Sequence, residues 1–165
     1  MKALKLLAVP AFAIASLASA SSYAATASGT ATVTIQAPIA IAQTTPMAVG
    51  TVIHDDQGLA GTATLDAATG AIGGTNTTTT GATRGVFTVT GASDVSFTLS
   101  ALGTATFTNG TPAEDMLMTL TSDPAAGALT LTGGSVGINV GGSLPLAANQ
   151  PTGAYTGTYS VVVNY

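Results

Sequence analysis

Downstream of residue 30, apolar residues alternate with Thr or Ser in short runs such as "GVFTVTG", "DVSFTLSA" and "MLMTLT". A period of two is the period of a strand, in which successive side chains point to opposite faces. Each run therefore has one face to bury and one hydroxyl face to leave in water. Turn residues cut the runs at short spacing, in "DDQG", "TNGTPAED", "SDPAAG", "TGG" and "NQPTG". Many short strands joined by Gly and Pro turns predict an all-β chain, a sandwich or a barrel. Further strands are expected in "TATVTIQ", "IAIA", "AVGTVI", "GTATLD", "ATFTN", "ALTLTG", "VGINVGG", "SLPLA" and the closing "GAYTGTYSVVVNY". The low-complexity Thr-rich stretch from Gly73 to Gly81 reads as a solvated loop or hairpin tip.

The first residues follow a different rule. Lys2 and Lys5 precede an apolar run from Leu6 to Leu17 and then small residues, the pattern of a secretory signal peptide over residues 1–24. Cleavage is expected after Ala24, with Ala20 as the alternative. The run is shorter than the roughly 20 residues that span a bilayer, so the mature form is expected to be secreted and to carry no membrane anchor. Removing the leader leaves Arg84 against seven acids, a formal charge of −6. Nucleic acid needs a basic patch for its phosphates, and anionic lipid needs basic residues at its surface. Neither partner is expected. The sequence holds no cysteine, and its two lysines leave with the leader, so neither a disulfide nor a lysine isopeptide bond can staple the mature fold. Stability has to come from burial and backbone pairing.

Chemistry has little to stand on. His54, Asp55 and Asp56 are the one place where a base adjoins carboxylates, and the "QG" that follows reads as a hairpin turn. Glu114, Asp115 and Asp123 lie in a turn-rich region and read as solvated loop acids rather than calcium ligands, and Asp66 and Asp94 read as turn residues. "VGINVGGS" is glycine-rich without the strand-to-helix context of a phosphate cradle, and reads as a tight bend or bulge. Arg84 is expected to pair with the Asp of a neighbouring strand. No enzyme activity, cofactor or metal is expected.

The two ends carry the rest. From Ala27 to Ile35 the odd positions read Ala27, Gly29, Ala31, Val33 and Ile35, and Thr residues occupy most of the others. A break at Pro38, which lacks the N–H that a central strand donates, divides residues 25–37, a candidate separate arm, from a domain over 38–165. Alternation alone leaves open whether that arm pairs with its own domain or with a neighbour. At the other end Tyr155, Tyr159, Val161, Val163 and Tyr165 share one face of a strand that runs to the last residue.

The stretch "APIAIAQTTPMAVGTV" and the closing "VGGSLPLAANQPTGAYTGTYSVVVNY" resemble the bacterial secreted family catalogued as domain of unknown function 4402. The ending is also similar to the spore coat protein U type pilins of archaic chaperone-usher systems. The resemblance implies an Ig-like Greek-key β-sandwich lacking one strand. In a filament the missing strand comes from the N-terminal arm of the next subunit, here Ala27, Gly29, Ala31, Val33 and Ile35. The C-terminal strand would be the edge held by a periplasmic chaperone before an outer-membrane usher releases the subunit to the cell surface. A small outer-membrane β-barrel, which also ends in an aromatic residue, and a stand-alone secreted adhesive domain remain the alternatives.

Overall fold

The structure, a computed structural model, describes residues 24–165. The expected leader falls, apart from its last residue, outside the described residues. The chain divides after Thr34 into two units. In the first, residues 24–34 carry no strand or helix and are exposed throughout. The expected strand "TATVTIQ" is accordingly absent, because none of its residues has a pairing partner within the chain.

The second unit, Ile35–Tyr165, is all-β and sandwich-like, with 48% of the chain in strands against 4% in helix. Its largest sheet runs in the order β1 (Ala40–Thr45), β6 (Gly85–Thr90), β11 (Ser135–Leu146), β9 (Met116–Asp123), β8 (Thr104–Thr108) and β12 (Thr156–Gly157). Strand β3 (Gly61–Leu65) also pairs with β11, and β4 (Ile72–Thr75) pairs with β3. A smaller sheet has the order β10 (Gly127–Thr130), β7 (Ser96–Leu99), β13 (Val163–Asn164), and β2 (Thr51–His54) pairs with β5 (Thr77–Thr80). These pairings are all antiparallel, which lets short turns connect neighbouring strands.

Strand β11 organises the large sheet. Its first half, Ser135 to Val140, pairs with β6, its second half, Gly142 to Leu146, pairs with β3, and its opposite edge pairs with β9. The expected separate strands "VGINVGG" and "SLPLA" are thus one continuous strand. Gly141 and Gly142 in it allow close approach rather than a bend. A Cβ on Gly141 would lie 2.2 Å from the Leu65 carbonyl oxygen, and one on Gly142 would lie 2.3 Å from that of Thr119.

The alternation read from the sequence becomes burial. In β9, Met116, Met118 and Leu120 are buried while Leu117, Thr119 and Thr121 face water. Phe97 and Leu99 of β7 meet Val89 of β6, Ile138 and Val140 of β11 and Leu131 in the same core. Each such side chain contributes roughly 1.5–3 kcal/mol when fully buried.

Two local expectations change. The Thr-rich stretch is not a loop but β4 and β5, joined at Asn76, whose φ is 54°. β-Branched residues suit a pleated surface, and pairing with β3 and β2 supplies the partners that low complexity concealed. The Asn76 side chain also ties down the preceding loop, accepting from the Asp56 N–H at 2.9 Å and donating to the Asp56 carbonyl at 2.8 Å. Arg84, in turn, donates to the carbonyls of Ala67 and Ala68 instead of pairing with a carboxylate. The same turn holds Asp66, which accepts from the Thr69 N–H and hydroxyl, each at 2.7 Å. These bonds, the backbone one foremost, keep the Asp66 carboxyl below its ordinary range.

Candidate functional site: an open groove between the two ends of the domain

The last eleven residues do not form one strand. Thr156 and Gly157 pair with Thr108 and Phe107 of the large sheet, and Val163 and Asn164 pair with Leu99 and Thr98 of the small one. A 2.9 Å bond from the Ser100 N–H to the Val162 carbonyl marks the arrival at β7. The segment therefore crosses from one sheet to the other between Gly157 and Val162. Strand β13 is the edge of its sheet, and β12 is the edge of the large one.

This crossing leaves a gap. On one side stand residues 47–54, which include β2, and on the other residues 150–157, which lead into β12. Strand β2 pairs with β5 and β12 with β8, and neither pairs across the gap. Between them lies a groove of about 840 Å³, lined at its base by Phe107, Met116, Leu144 and Leu146. Register explains the apolar floor: Phe107 stands opposite Met116 on β9 and opposite Gly157 on β12. Met116 and Leu146, each 8% exposed, are the least covered members of the core. A sandwich closed on all sides would hide them further.

The last segment continues past the groove, whose lining ends at Gly157. Gly157 offers no side chain over Phe107, and it has no room for one, since a Cβ there would lie 2.5 Å from the Thr106 carbonyl oxygen. Two residues on, the Tyr159 ring stands edge-on to Phe87 at 5.9 Å between centroids. Its hydroxyl and the Met47 side chain together cover Gly85, where a Cβ would meet that hydroxyl at 2.3 Å. Burial pushes the Tyr159 phenol above its ordinary pKa, with the Gln43 side chain opposing. Beyond it the two ends meet, with the Tyr165 hydroxyl donating to the Ala37 carbonyl.

The residues singled out in the sequence fall as follows. Tyr155, Tyr159, Val161 and Val163 are half-buried and pack on the core, whereas Tyr165 is largely exposed. The Tyr155 hydroxyl donates to the Pro151 carbonyl at 2.9 Å and accepts from Gln150 Nε2 at 3.1 Å, which fixes the loop at the groove's rim. Ala27, Gly29 and Ala31 are exposed, as are Val33 at 86% and Ile35 at 91%. His54 stands, as read, at a strand end ahead of the turn at Gln57 and Gly58; it lines the groove, with both ring nitrogens buried and without a hydrogen-bond partner. Asp55 accepts from the Thr78 hydroxyl and Asp56 from the Gly58 N–H, so neither carboxylate is directed at that ring. Among the described residues no group of three or more His, Asp or Glu could hold a metal ion, and no helix is long and apolar enough to cross a membrane.

Sequence reasoning missed the floor and the facing wall. Met116, Leu144 and Leu146 look like any other core position in an alternating run. The usable signal was Gly157, a gap in the bulky series Tyr155, Tyr159, Val161, Val163.

Residues 39–165 match the family described as Domain of unknown function (DUF4402), and the chain belongs to that family. No curated protein and no solved structure matches it.

Proposed function

We propose that this protein is a structural subunit of a bacterial surface filament or related extracellular assembly. In this reading it polymerises by strand addition, the N-terminal arm of one copy filling the groove of the next, and it performs no catalysis of its own. The observation that carries the reading is the groove itself, an open trough with an apolar floor between two segments with no pairing across it. An extended peptide would supply both the missing backbone partners and an apolar face, as in β-augmentation.

The arm has the matching chemistry. Val33 and Ile35 are apolar yet almost fully exposed, and Thr residues on the other face keep the free arm in water. From Ala27 to Ile35 the arm spans about 27 Å as a strand, and residues 47–54 would span at most about 24 Å fully extended. The distribution of outward side chains also favours this reading over a lipid-facing barrel. Thr64, Thr104, Thr106 and Thr119 face water while Ala63, Ala105 and Met118 face the core, the reverse of a barrel with an apolar exterior. A periplasmic chaperone holding the groove open, and an usher at the outer membrane, are the partners this assembly route calls for.

Electron microscopy and light scattering of the purified mature chain test the proposal. Thin polymers are expected from the wild type and none from Ile35→Asp, whose buried carboxylate would cost several kcal/mol. Polymers that form equally well from Ile35→Asp, or recovery of the protein only as a detergent-extracted membrane species, would refute it.

A further inference from the structure

We propose that Tyr165 latches the root of the N-terminal arm and so keeps the arm from folding back onto the first strand of its own domain. The use of a free arm rests on strand addition as the mode of assembly, but the latch itself is a property of the single chain.

The nearest place for the arm to pair is β1. That strand ends the large sheet, bonded to β6 on one side, and no described strand pairs with its other edge. An arm that reversed direction just ahead of it would add there as a hairpin. The sequence at the junction favours such a reversal, because Pro38 in Ala37-Pro38-Ile39-Ala40 holds the second position of a four-residue turn, where its fixed φ is preferred. The bond that closes a turn of this kind runs from the Ala40 N–H to the Ala37 carbonyl. In the structure that carbonyl accepts from the Tyr165 hydroxyl instead, at 2.8 Å. The hydroxyl lies close to the chain it holds: a Cβ on Gly91 would be 3.5 Å from it and 3.6 Å from Ile39 Cα. Closing the turn would swing the carbonyl away from Tyr165, so the last residue and the hairpin compete for one acceptor.

Register adds a second obstacle. With Pro38 and Ile39 as the loop, Gln36 would stand opposite Ile41 and Ile35 opposite Ala42, and facing residues share a face of the sheet. Ile41 packs on the core beside its partner Val89, whereas Ala42 is exposed. The hairpin would therefore leave Ile35 on the solvent face and turn Gln36 toward the core. It gains backbone bonds without apolar burial. Against so small a gain, one competing hydrogen bond at the root is enough to matter.

The chain contains no cysteine, so Ile35→Cys and Ala42→Cys, introduced together into the mature protein, report the hairpin cleanly. Facing residues of antiparallel strands lie about 4.5–5.5 Å apart, within the span of a disulfide. The pair is equilibrated with a glutathione buffer, at a dilution where the protein is monomeric, and the intramolecular disulfide is measured with and without Tyr165→Phe, which keeps the ring and removes the hydroxyl. The disulfide should be minor with Tyr165 in place and about fivefold more favourable in Tyr165→Phe, the weight of one neutral hydrogen bond. Adding Pro38→Ala to the Tyr165→Phe chain should lower it again, because the turn loses its preset φ; a general loosening of the fold would not be reversed in this way. A disulfide that is near complete with Tyr165 present, that does not rise in Tyr165→Phe, or that stays high after Pro38→Ala would overturn the latch. Strand addition is judged separately, by whether the cysteine-free chain polymerises.

Discussion

The Tyr165 hydroxyl donates a 2.8 Å hydrogen bond to the carbonyl of Ala37, a residue 128 positions earlier. The last side chain of the protein thereby meets the entry to its first strand. Tyr165 is 61% exposed, so its ring adds little burial. The bond is the more direct reason for an ordered terminus.

Tyr165→Phe should therefore cost about 0.5–1 kcal/mol, the lower part of the range for a single neutral hydrogen bond, measured by chemical denaturation of the mature chain. A variant as stable as the wild type would show that the bond has no net effect on stability.

The glycine pair in β11 should be intolerant. Gly141→Ala and Gly142→Ala each place a methyl within 2.3 Å of a neighbouring strand's backbone, and backbone cannot move aside as a side chain can. A loss of about 1–3 kcal/mol or more is expected from each. Gly137→Ala, in the same strand but with nothing within 4 Å of the added carbon, should fall within about 0.5 kcal/mol of the wild type.

On the arm, Val33→Asp should leave the unfolding midpoint of the monomer unchanged, because the side chain is exposed, and should remove polymers from electron micrographs. Loss of monomer stability in that variant would mean that the arm belongs to its own domain.

Acid should loosen the turn after β3. The Asp66 carboxyl is held low in the folded chain, first by the Thr69 N–H and then by the Thr69 hydroxyl. A folded value below the unfolded one stabilises the fold above the ordinary value of 3.8, and that gain is lost as pH falls through the folded value. The stability difference between wild type and Asp66→Asn should accordingly shrink as pH is lowered below about 4. A difference independent of pH would separate Asp66 from the acid response.

Much of the fold was legible because burial follows a period of two: the alternation in "MLMTLT" became the buried Met116, Met118 and Leu120 of β9. What could not be read depends on partners far away in sequence. The Thr run became two strands because β2 and β3 lie beside it, and the closing strand broke because its two halves belong to different sheets. Arg84 found carbonyls rather than a carboxylate because the turn after β3 comes to it. The groove was invisible for the same reason. It is made of strand ends brought together from four parts of the chain, and its floor residues carry no local mark.

The position of β11 has a consequence for how the chain acquires its shape. Strands β3, β6 and β9 are all laid down before Ser135, yet each depends on β11 for an edge. A chain emerging N-terminus first, from a ribosome or through a narrow translocation channel, cannot close its large sheet until its final thirty residues are nearly out. Up to that moment β3, β6 and β9 each lack the neighbour that β11 provides, although β2 and β5 can already pair.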